Sequence, residues 1–498
     1  MWFLVICLVL TLLVKIWMDR KQLGTSPPGP RGLPIIGNIL EFKRLVKETK
    51  FHCLVWCRLA DIYGPVIRLQ FGFDNPFIVV SGRSAVMEML SRSEFDGRPD
   101  TFEIRLRTGG KRRGVLFTDG EVWSEHRRLT VKTLKRLGFN KTEVGDMVVD
   151  DAIALTKTIE KWAEKGPISN IYEYVSVSVI ASLWHLVTGA KLQLDQEDSK
   201  LMDTITMLNT NMKESNEIGG IINRVPFLRF IFPQLTGYAK FKSRQDRIWR
   251  YFKEMIKERR KTEIHDEPSN LIDVYLQEMQ ARSSSSNSCF NKDNLTALIK
   301  DIFVAAVETT SSSIGFTIAY LSVHQDVQKK IHDELDEALG RDILPRLVHK
   351  NRLPYLQAAL AEVARIGNVA STSLPHRAMS DTTFLGYRIK KNSLLLANFM
   401  SVHMDEKHWG DPKVFRPERF INEKGEFVED SWVMIFGSGR RRCLGEAMAK
   451  NNLFLFVAHI LQKFHFAIAP GHPKPCLMGI SGFVISPPPM TLLVTKRT

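Results

Sequence analysis

"FGSGRRRCLGE", residues Phe436 to Glu446, decides how this chain is read. Three arginines run into a single cysteine, and glycines stand on both sides. Such a loop could cradle a phosphate, turn in solvent or seat a metal. A phosphate cradle needs Lys followed by Ser or Thr after its glycines. Leu444-Gly445-Glu446 follows here instead. The cysteine is therefore the residue to explain.

Six cysteines occur in 498 residues: Cys7, Cys53, Cys57, Cys289, Cys443 and Cys476. They are scattered, with no C-x-x-C pair, which excludes a disulfide framework and fits a reducing compartment. That leaves Cys443 free for chemistry, while Cys53, Cys57, Cys289 and Cys476 read as packed or solvent thiols. The chain carries 69 basic against 54 acidic residues, a net charge of +15. Such a surplus favours acidic partners or anionic membrane surfaces. Zinc-finger spacing and aromatic RNA-binding motifs are both missing, so no nucleic-acid partner is expected.

The start, "MWFLVICLVLTLLVKIWM", is apolar except for Thr11 and Lys15. As a helix it would reach about 26 Å, just short of a bilayer core. Its end is bulky, and the basic residues Lys15, Arg20 and Lys21 come at that end rather than before the apolar run. A cleaved leader shows the reverse order, so residues 1–18 are expected to be an uncleaved membrane anchor. Basic residues after the span place the body on the cytoplasmic side. Residues 19–40 are basic and then proline-rich ("PPGPRGLPIIGN"), a stiff hinge. Residues 41–498 form the folded body.

"PVIRLQFG" (Pro65 to Gly72) and "PFIVVSG" (Pro76 to Gly82) predict a β-hairpin, and a second strand pair falls around Phe384 to Asn398. Most of the intervening sequence is helical, without alternating βα units, which argues against a dinucleotide-binding domain. The fold class expected is mainly α with small β-sheets. "IGGIINRVPFLRFIFPQL" (Ile218 to Leu235) is apolar but broken by Pro226 and Pro233. It is either a buried segment or a patch dipping into the membrane interface.

The segment starting at Asp293 or Asn294 predicts one long central helix, with Leu295, Leu298, Ile299, Ile302, Phe303 and Ala306 on a face. Glu308, Thr309 and Thr310 interrupt its apolar run. A carboxyl beside a hydroxyl makes a short proton-donor chain. The alternative is that Thr309 bonds its own i−4 carbonyl while Glu308 reaches solvent.

Phe436-Gly437-x-Gly439-x-Arg441-x-Cys443-x-Gly445 resembles the cysteine loop of the cytochrome P450 family. Other stretches resemble that family in its order: Trp123-x-x-x-Arg127; Ala305-Ala306-Val307-Glu308-Thr309-Thr310; Glu362-x-x-Arg365; and Phe415-Arg416-Pro417-Glu418-Arg419-Phe420. The resemblance spans essentially the whole chain, and the N-terminal anchor with its hinge matches the microsomal type. It implies a haem-thiolate monooxygenase fold, with Cys443 as the axial ligand of the iron of haem b. A thiolate makes that iron electron-rich and favours O–O cleavage. Gly437 and Gly439 would let the loop turn tightly enough for backbone amides to point at the sulfur, and Phe436 would help frame the haem. Arg441, Trp123, Arg127 and His376 would meet the haem propionates, with Lys111 left open. Glu308 and Thr309 would be catalytic. Glu362, Arg365 and Arg419 would form a buried structural triad. Ala306 stands where the family usually has glycine, which would narrow the oxygen groove. "IGNVAS" after Arg365 also departs from the family and should line the pocket.

No G-x-G-x-x-G follows a strand, so the electrons implied by the resemblance would come from NADPH through a separate flavoprotein, NADPH-cytochrome P450 reductase, with cytochrome b5 as a second donor. Arg127, Arg128, Lys132, Lys135, Arg136, Arg440, Arg442 and Lys450 would offer it a basic face; the alternative is a solvated surface. The expected location is the endoplasmic reticulum membrane. "FDGRPDTFEIRLRTGGKRRGVLFTDGEVW" looks most like insect members related to methyl farnesoate epoxidases, which implies an insect sesquiterpenoid hormone precursor as substrate. Alternatives are N-hydroxylation of an aromatic amino acid to an aldoxime, or xenobiotic oxidation. Outside the monooxygenases, a haem-thiolate isomerase or dehydratase, or a haem carrier, remain as other classes. Pocket residues by position are Phe102, Arg105, Arg107, Phe303, Ala306, Val369, Leu374 and Phe483. If Arg105 or Arg107 points inward it could hold a substrate carboxylate; otherwise both face the propionates or solvent.

Overall fold

The computed structural model describes residues 25–497 apart from 73, 138–141, 193–198, 216–218, 225–226, 260–267 and 285–287. The expected anchor, residues 1–18, and the first part of the hinge lie outside them. The centre of the body is one helix, Lys292–Val323, of 32 residues. Its N-cap is Asn291, whose side chain accepts from the Asn294 amide, two residues before the nearer expected cap. The asparagine side chain satisfies a donor that the first turn leaves orphaned.

This helix is apolar on most of its circumference, so it needs neighbours all round. It packs against helices Ile171–Thr188, Pro354–Gly367 and Glu446–Lys463. Two helices, Ile171–Thr188 and Lys292–Val323, are long and apolar enough to cross a bilayer, yet 72% and 67% of their apolar windows are buried within the protein. They are core helices covering each other.

The strands are β1 Val66–Leu69, β2 Phe77–Ser81, β3 Ile168–Ser169, β4 His376–Arg377, β5 Thr382–Phe384, β6 Tyr387–Ile389, β7 Leu394–Asn398, β8 Phe464–Ile468 and β9 Thr491–Lys496. The expected hairpin forms: β1 and β2 pair antiparallel, Val66 opposite Val80. The second expected pair divides. β6 pairs back onto β5, while β7 joins β2 in parallel register, Phe77 opposite Leu394. The turn at Gly386 serves β5–β6 and leaves Leu394–Asn398, apolar through Ala397, to enter the larger sheet buried on both faces. The sheet orders are β1-β2-β7-β4, β3-β9-β8 and β5-β6.

Buried charge ties the C-terminal third together. Glu362 Oε1 and Oε2 both accept from Arg365, each at 2.7 Å. Oε1 also accepts from the Arg416 amide at 3.0 Å and from Arg419 Nε at 3.2 Å. Arg365 and Glu362 have no exposed side-chain surface. Arg365 donates onward to the carbonyls of His403 and Pro412, and Arg419 to those of Trp409 and Asp411. His403 Nδ1 bonds Asn368 Oδ1, and its Nε2 accepts from the Met434 amide, two residues before Phe436. The network thus hangs the cysteine loop from helix Pro354–Gly367. Removing one partner of such a pair leaves an uncompensated buried charge. Glu362→Gln should lower stability by about 3–5 kcal/mol, read as a fall in the denaturant midpoint and as failure to retain haem.

Candidate active site

The cysteine loop is shaped by two left-handed glycines, Gly437 at φ 69° and Gly439 at φ 68°. Gly439 has a second constraint. A Cβ there would stand 1.9 Å from the Leu90 carbonyl oxygen, so only glycine lets the loop lie on helix Arg83–Ser91. The Cys443 amide closes the loop by donating to Phe436 O at 2.9 Å. The Cys443 side chain is exposed on the wall of a large cavity of about 1130 Å³.

Protein packed around the thiol pushes its pKa up by desolvation. The Gly445 backbone amide, hydrogen-bonded to the sulfur, and the Arg127 and Arg442 guanidiniums work in the opposite direction. The amide aimed at the sulfur is that of Gly445. Desolvation wins in the protein alone, whereas a metal ion at the sulfur would deprotonate it outright. Among the described residues no group of three or more His, Cys, Asp or Glu could hold a metal. A metal on this sulfur must therefore bring its other ligands with it.

A pocket of buried cations opens on the same cavity. Arg441 lies 3.9 Å over the Trp123 ring and donates to the carbonyls of Asp96 (2.9 Å) and Thr118 (2.8 Å). Arg98 donates to the carbonyls of Leu116, Leu374 and Pro375. Arg127 donates to Arg442 O at 2.8 Å. His376 is buried, with Nδ1 2.7 Å from the Phe95 carbonyl. A carbonyl only accepts, so Nδ1 carries the proton. Burial and then mutual repulsion drive Arg441 down to about 8, while Arg98 falls to about 10, chiefly by burial. Burial, with Arg98 and Arg441 nearby, also pushes His376 well below its ordinary value. Asp96 and Asp119 offset these charges in part but are shared with Arg440, Arg112 and Arg377. The two carboxylates of haem b would be met by Arg98 and Arg441, and Cys443 would supply a sulfur ligand, so these residues fit the cofactor.

Arg98 is the member that sequence reading missed. It stands in "FDGRPD" before Pro99, where the backbone is extended and no helical periodicity points a side chain inward. Lys111, left open, is exposed and outside the cavity lining. Arg440 and Arg442 face outward, paired with Asp96 and Glu446. Much of the expected basic face is likewise paired: Arg128 with Glu125, and Lys450 with Glu429 and Glu446.

On the other wall, Thr309, Ala306, Val369, Leu374, Phe483 and Arg107 line the cavity. Thr309 Oγ1 donates to Ala305 O at 2.7 Å, the local i−4 bond. Glu308 reaches neither solvent nor the cavity. It is buried and accepts from Ser486 Oγ at 2.9 Å, and burial raises its pKa. Three expected lining residues lie elsewhere. Phe303 turns into the core between Trp184 and Phe252. Arg105 is exposed and paired with Asp100. Phe102 packs under Arg229 and beside Tyr238. Phe303 and Ala306 share a face loosely on a helical wheel, but the cavity meets the helix through Ile302, Val304, Ala305, Ala306 and Thr309 among others and passes Phe303 by.

The cytochrome P450 family profile matches residues 27–494. The chain is 32% identical to a farnesoate epoxidase of Bombyx mori, over 99% of this chain and 98% of that one. It is 33% identical to a probable cytochrome P450 305a1 of Drosophila melanogaster, over 100% and 99%. It is 31% identical to cytochrome P450 2D15 of Canis lupus familiaris, over 98% and 97%. A thiol and a cation pocket on one cavity, in a chain matched end to end, have one reading. The chain belongs to the cytochrome P450 family, haem monooxygenases that bind haem b and take electrons from NADPH through a reductase.

Proposed function

We propose that this chain is a membrane-anchored monooxygenase, dependent on a separate reductase, that oxidises a small lipophilic compound of the insect sesquiterpenoid-precursor class. The observation that carries the monooxygenase reading is the shared cavity of Cys443, the cation pocket and Thr309. The resemblance to a farnesoate epoxidase supports the substrate class. The bound haem would supply activation of dioxygen and transfer of one oxygen atom.

The chain's own residues do the rest. Cys443 Sγ, with the Gly445 amide on it, would ligate the iron. Arg98, Arg441, Trp123, Arg127 and His376 would hold the propionates. Ala306, Val369, Leu374 and Phe483 exclude water from the reacting face and press the substrate toward it. Thr309 Oγ1, released from the Ala305 carbonyl, passes a proton into the cavity. Glu308 is its source: burial raises its pKa, so it keeps its proton to higher pH than an ordinary glutamate. Ser486 holds that carboxyl until it swings toward Thr309.

The body sits on the endoplasmic reticulum membrane, facing the cytoplasm. Phe227, Phe230, Ile231, Phe232 and Leu235 are exposed together, Leu235 to 86%. Arg224, just ahead of them, lies beside Gly72 and Ile35 of the hinge side, where Leu33 and Leu40 are also exposed. Exposed apolar residues of this kind suit a membrane interface. Among the helix Gly120–Arg136 cations, Lys132 and Lys135 would meet an acidic reductase, with cytochrome b5 competing for the same face.

Cys443→Ser should abolish the thiolate-haem spectrum of the reduced, CO-bound protein; retention of that spectrum would remove the assignment of the ligand. Arg98→Gln should keep the thiolate signature but speed haem loss to apomyoglobin, because one buried propionate partner is gone. Thr309→Ala should cut product formation about 100-fold while NADPH is still consumed in the reconstituted system. Full product turnover by that variant would sink the proton route. Mass spectrometry of products from terpenoids, steroids, fatty acids and aromatic amino acids decides the substrate against aldoxime formation and xenobiotic oxidation.

A further inference from the structure

Arg107 is held on the cavity wall in an unusual state. Its side chain is 16% exposed, and its guanidinium lies 4.7 Å over the Phe117 ring. Its nearest carboxylate oxygen, Asp301 Oδ1, is 3.6 Å away, too far for a hydrogen bond. Among the described residues the guanidinium donates to nothing else, so a fork of five N–H donors stands unused. Asp301 is committed elsewhere: its Oδ2 accepts from the Val115 and Leu116 amides at 2.9 and 3.0 Å. Its Oδ1 accepts no hydrogen bond.

A second cation lies beside this one. Lys300 is buried and donates to Arg107 O at 2.6 Å and Gln245 Oε1 at 2.7 Å. Burial and then the Arg107 charge push its pKa well below the ordinary lysine value, and burial also pulls Arg107 down. Arg244 and Glu214, the next charges along the wall, pair with each other. Asp301 and Asp246 are the carboxylates that act on this pair, yet neither gives the Arg107 fork a hydrogen bond, in a cavity otherwise lined here by Ile104, Val115 and Ile302. Holding a guanidinium in a desolvated wall without hydrogen-bond acceptors is costly. A ligand that brings a negative charge and two acceptor oxygens fills the fork.

We propose that the substrate is a carboxylic acid whose carboxylate seats on the Arg107 guanidinium, with its apolar body lying along Val304, Ala306, Val369 and Phe483. This rests on the monooxygenase reading for the cavity but names the substrate's charged end. It favours the free acid of a sesquiterpenoid over its ester. Phe117 and Asp301 are positioning residues that hold the fork flat and turned to the cavity.

The test is calorimetric binding to the purified haem-loaded, full-length enzyme, with no turnover required. The probes are farnesoic acid against methyl farnesoate, and phenylalanine against its methyl ester. In at least one pair the acid should bind about 10- to 100-fold more tightly, as for a charge-assisted hydrogen bond. Arg107→Gln should erase that preference while leaving ester binding within about threefold, and Arg107→Lys should restore part of it. Equal binding of acid and ester in both pairs overturns the proposal, as does an Arg107→Gln variant that weakens acid and ester alike. The wild-type comparison stands even if a variant fails to fold. The thiolate-haem spectrum, recorded on the same sample, reports on the monooxygenase reading independently.

Discussion

The structure depends on two carboxylate oxygens that no solvent reaches. Glu362 takes two hydrogen bonds from Arg365 and further ones from Arg416 and Arg419. A buried ion pair of this kind is weak evidence for stability in itself, since apolar residues of the same volume often do as well. Its value lies in geometry. Arg365 and Arg419 spend their remaining donors on carbonyls at His403, Pro412, Trp409 and Asp411. His403 and Trp409 end one-turn helices and Asp411 and Pro412 lie in the turn beyond, where carbonyls have no helical partner of their own. The charges replace the missing ladder, and His403 passes the constraint to Met434 and so to the cysteine loop.

The loop then meets the opposite demand. Cys443 must be open on one side, yet its sulfur must sit in a fixed place. Gly439 provides the placement by lying against Leu90 where no side chain fits, and Gly445 provides an amide for the sulfur. Across the same cavity the protein gathers the cations Arg98 and Arg441 beside a neutral His376 and gives them carbonyl oxygens and shared carboxylates. Cations held at a cost to their own ionisation suit an anionic ligand.

Residue spacing made much of this legible. The cysteine loop, the Glu362–Arg365 pair three apart on one helix, and the long apolar helix all carry local patterns, and each occupies the expected element. What stayed hidden depended on contacts between distant segments. Arg98 reaches carbonyls at Leu374 and Pro375, and Glu308 meets Ser486, 178 residues away; no periodicity encodes either. Phe303 illustrates the limit of a helical wheel. Its face was assigned correctly as apolar, but in a helix covered all round an apolar face points as readily to core as to cavity. Arg105 and Arg107 are the sharpest case. They stand two residues apart in one short helix, and identical chemistry gives one a solvent partner, Asp100, and the other a buried wall.

That split orders the cavity along one axis. One end is defined by the sulfur and by cations matched to the cofactor's carboxylates. The other carries Arg107, whose guanidinium finds no hydrogen-bond acceptor among the described residues, with Lys300 beside it. The same wall carries the apolar Val304, Ala306, Val369 and Phe483. A ligand with a single anionic end has only one favourable direction in such a space, because reversing it would bring its carboxylate beside the propionates and leave Arg107 bare. The position oxidised is then set by the ligand's length from its charged end, and a pocket of tolerant apolar walls can still act on one carbon. Ala306, with its added methyl where the family usually has glycine, would narrow the groove at the reacting end and reinforce that choice.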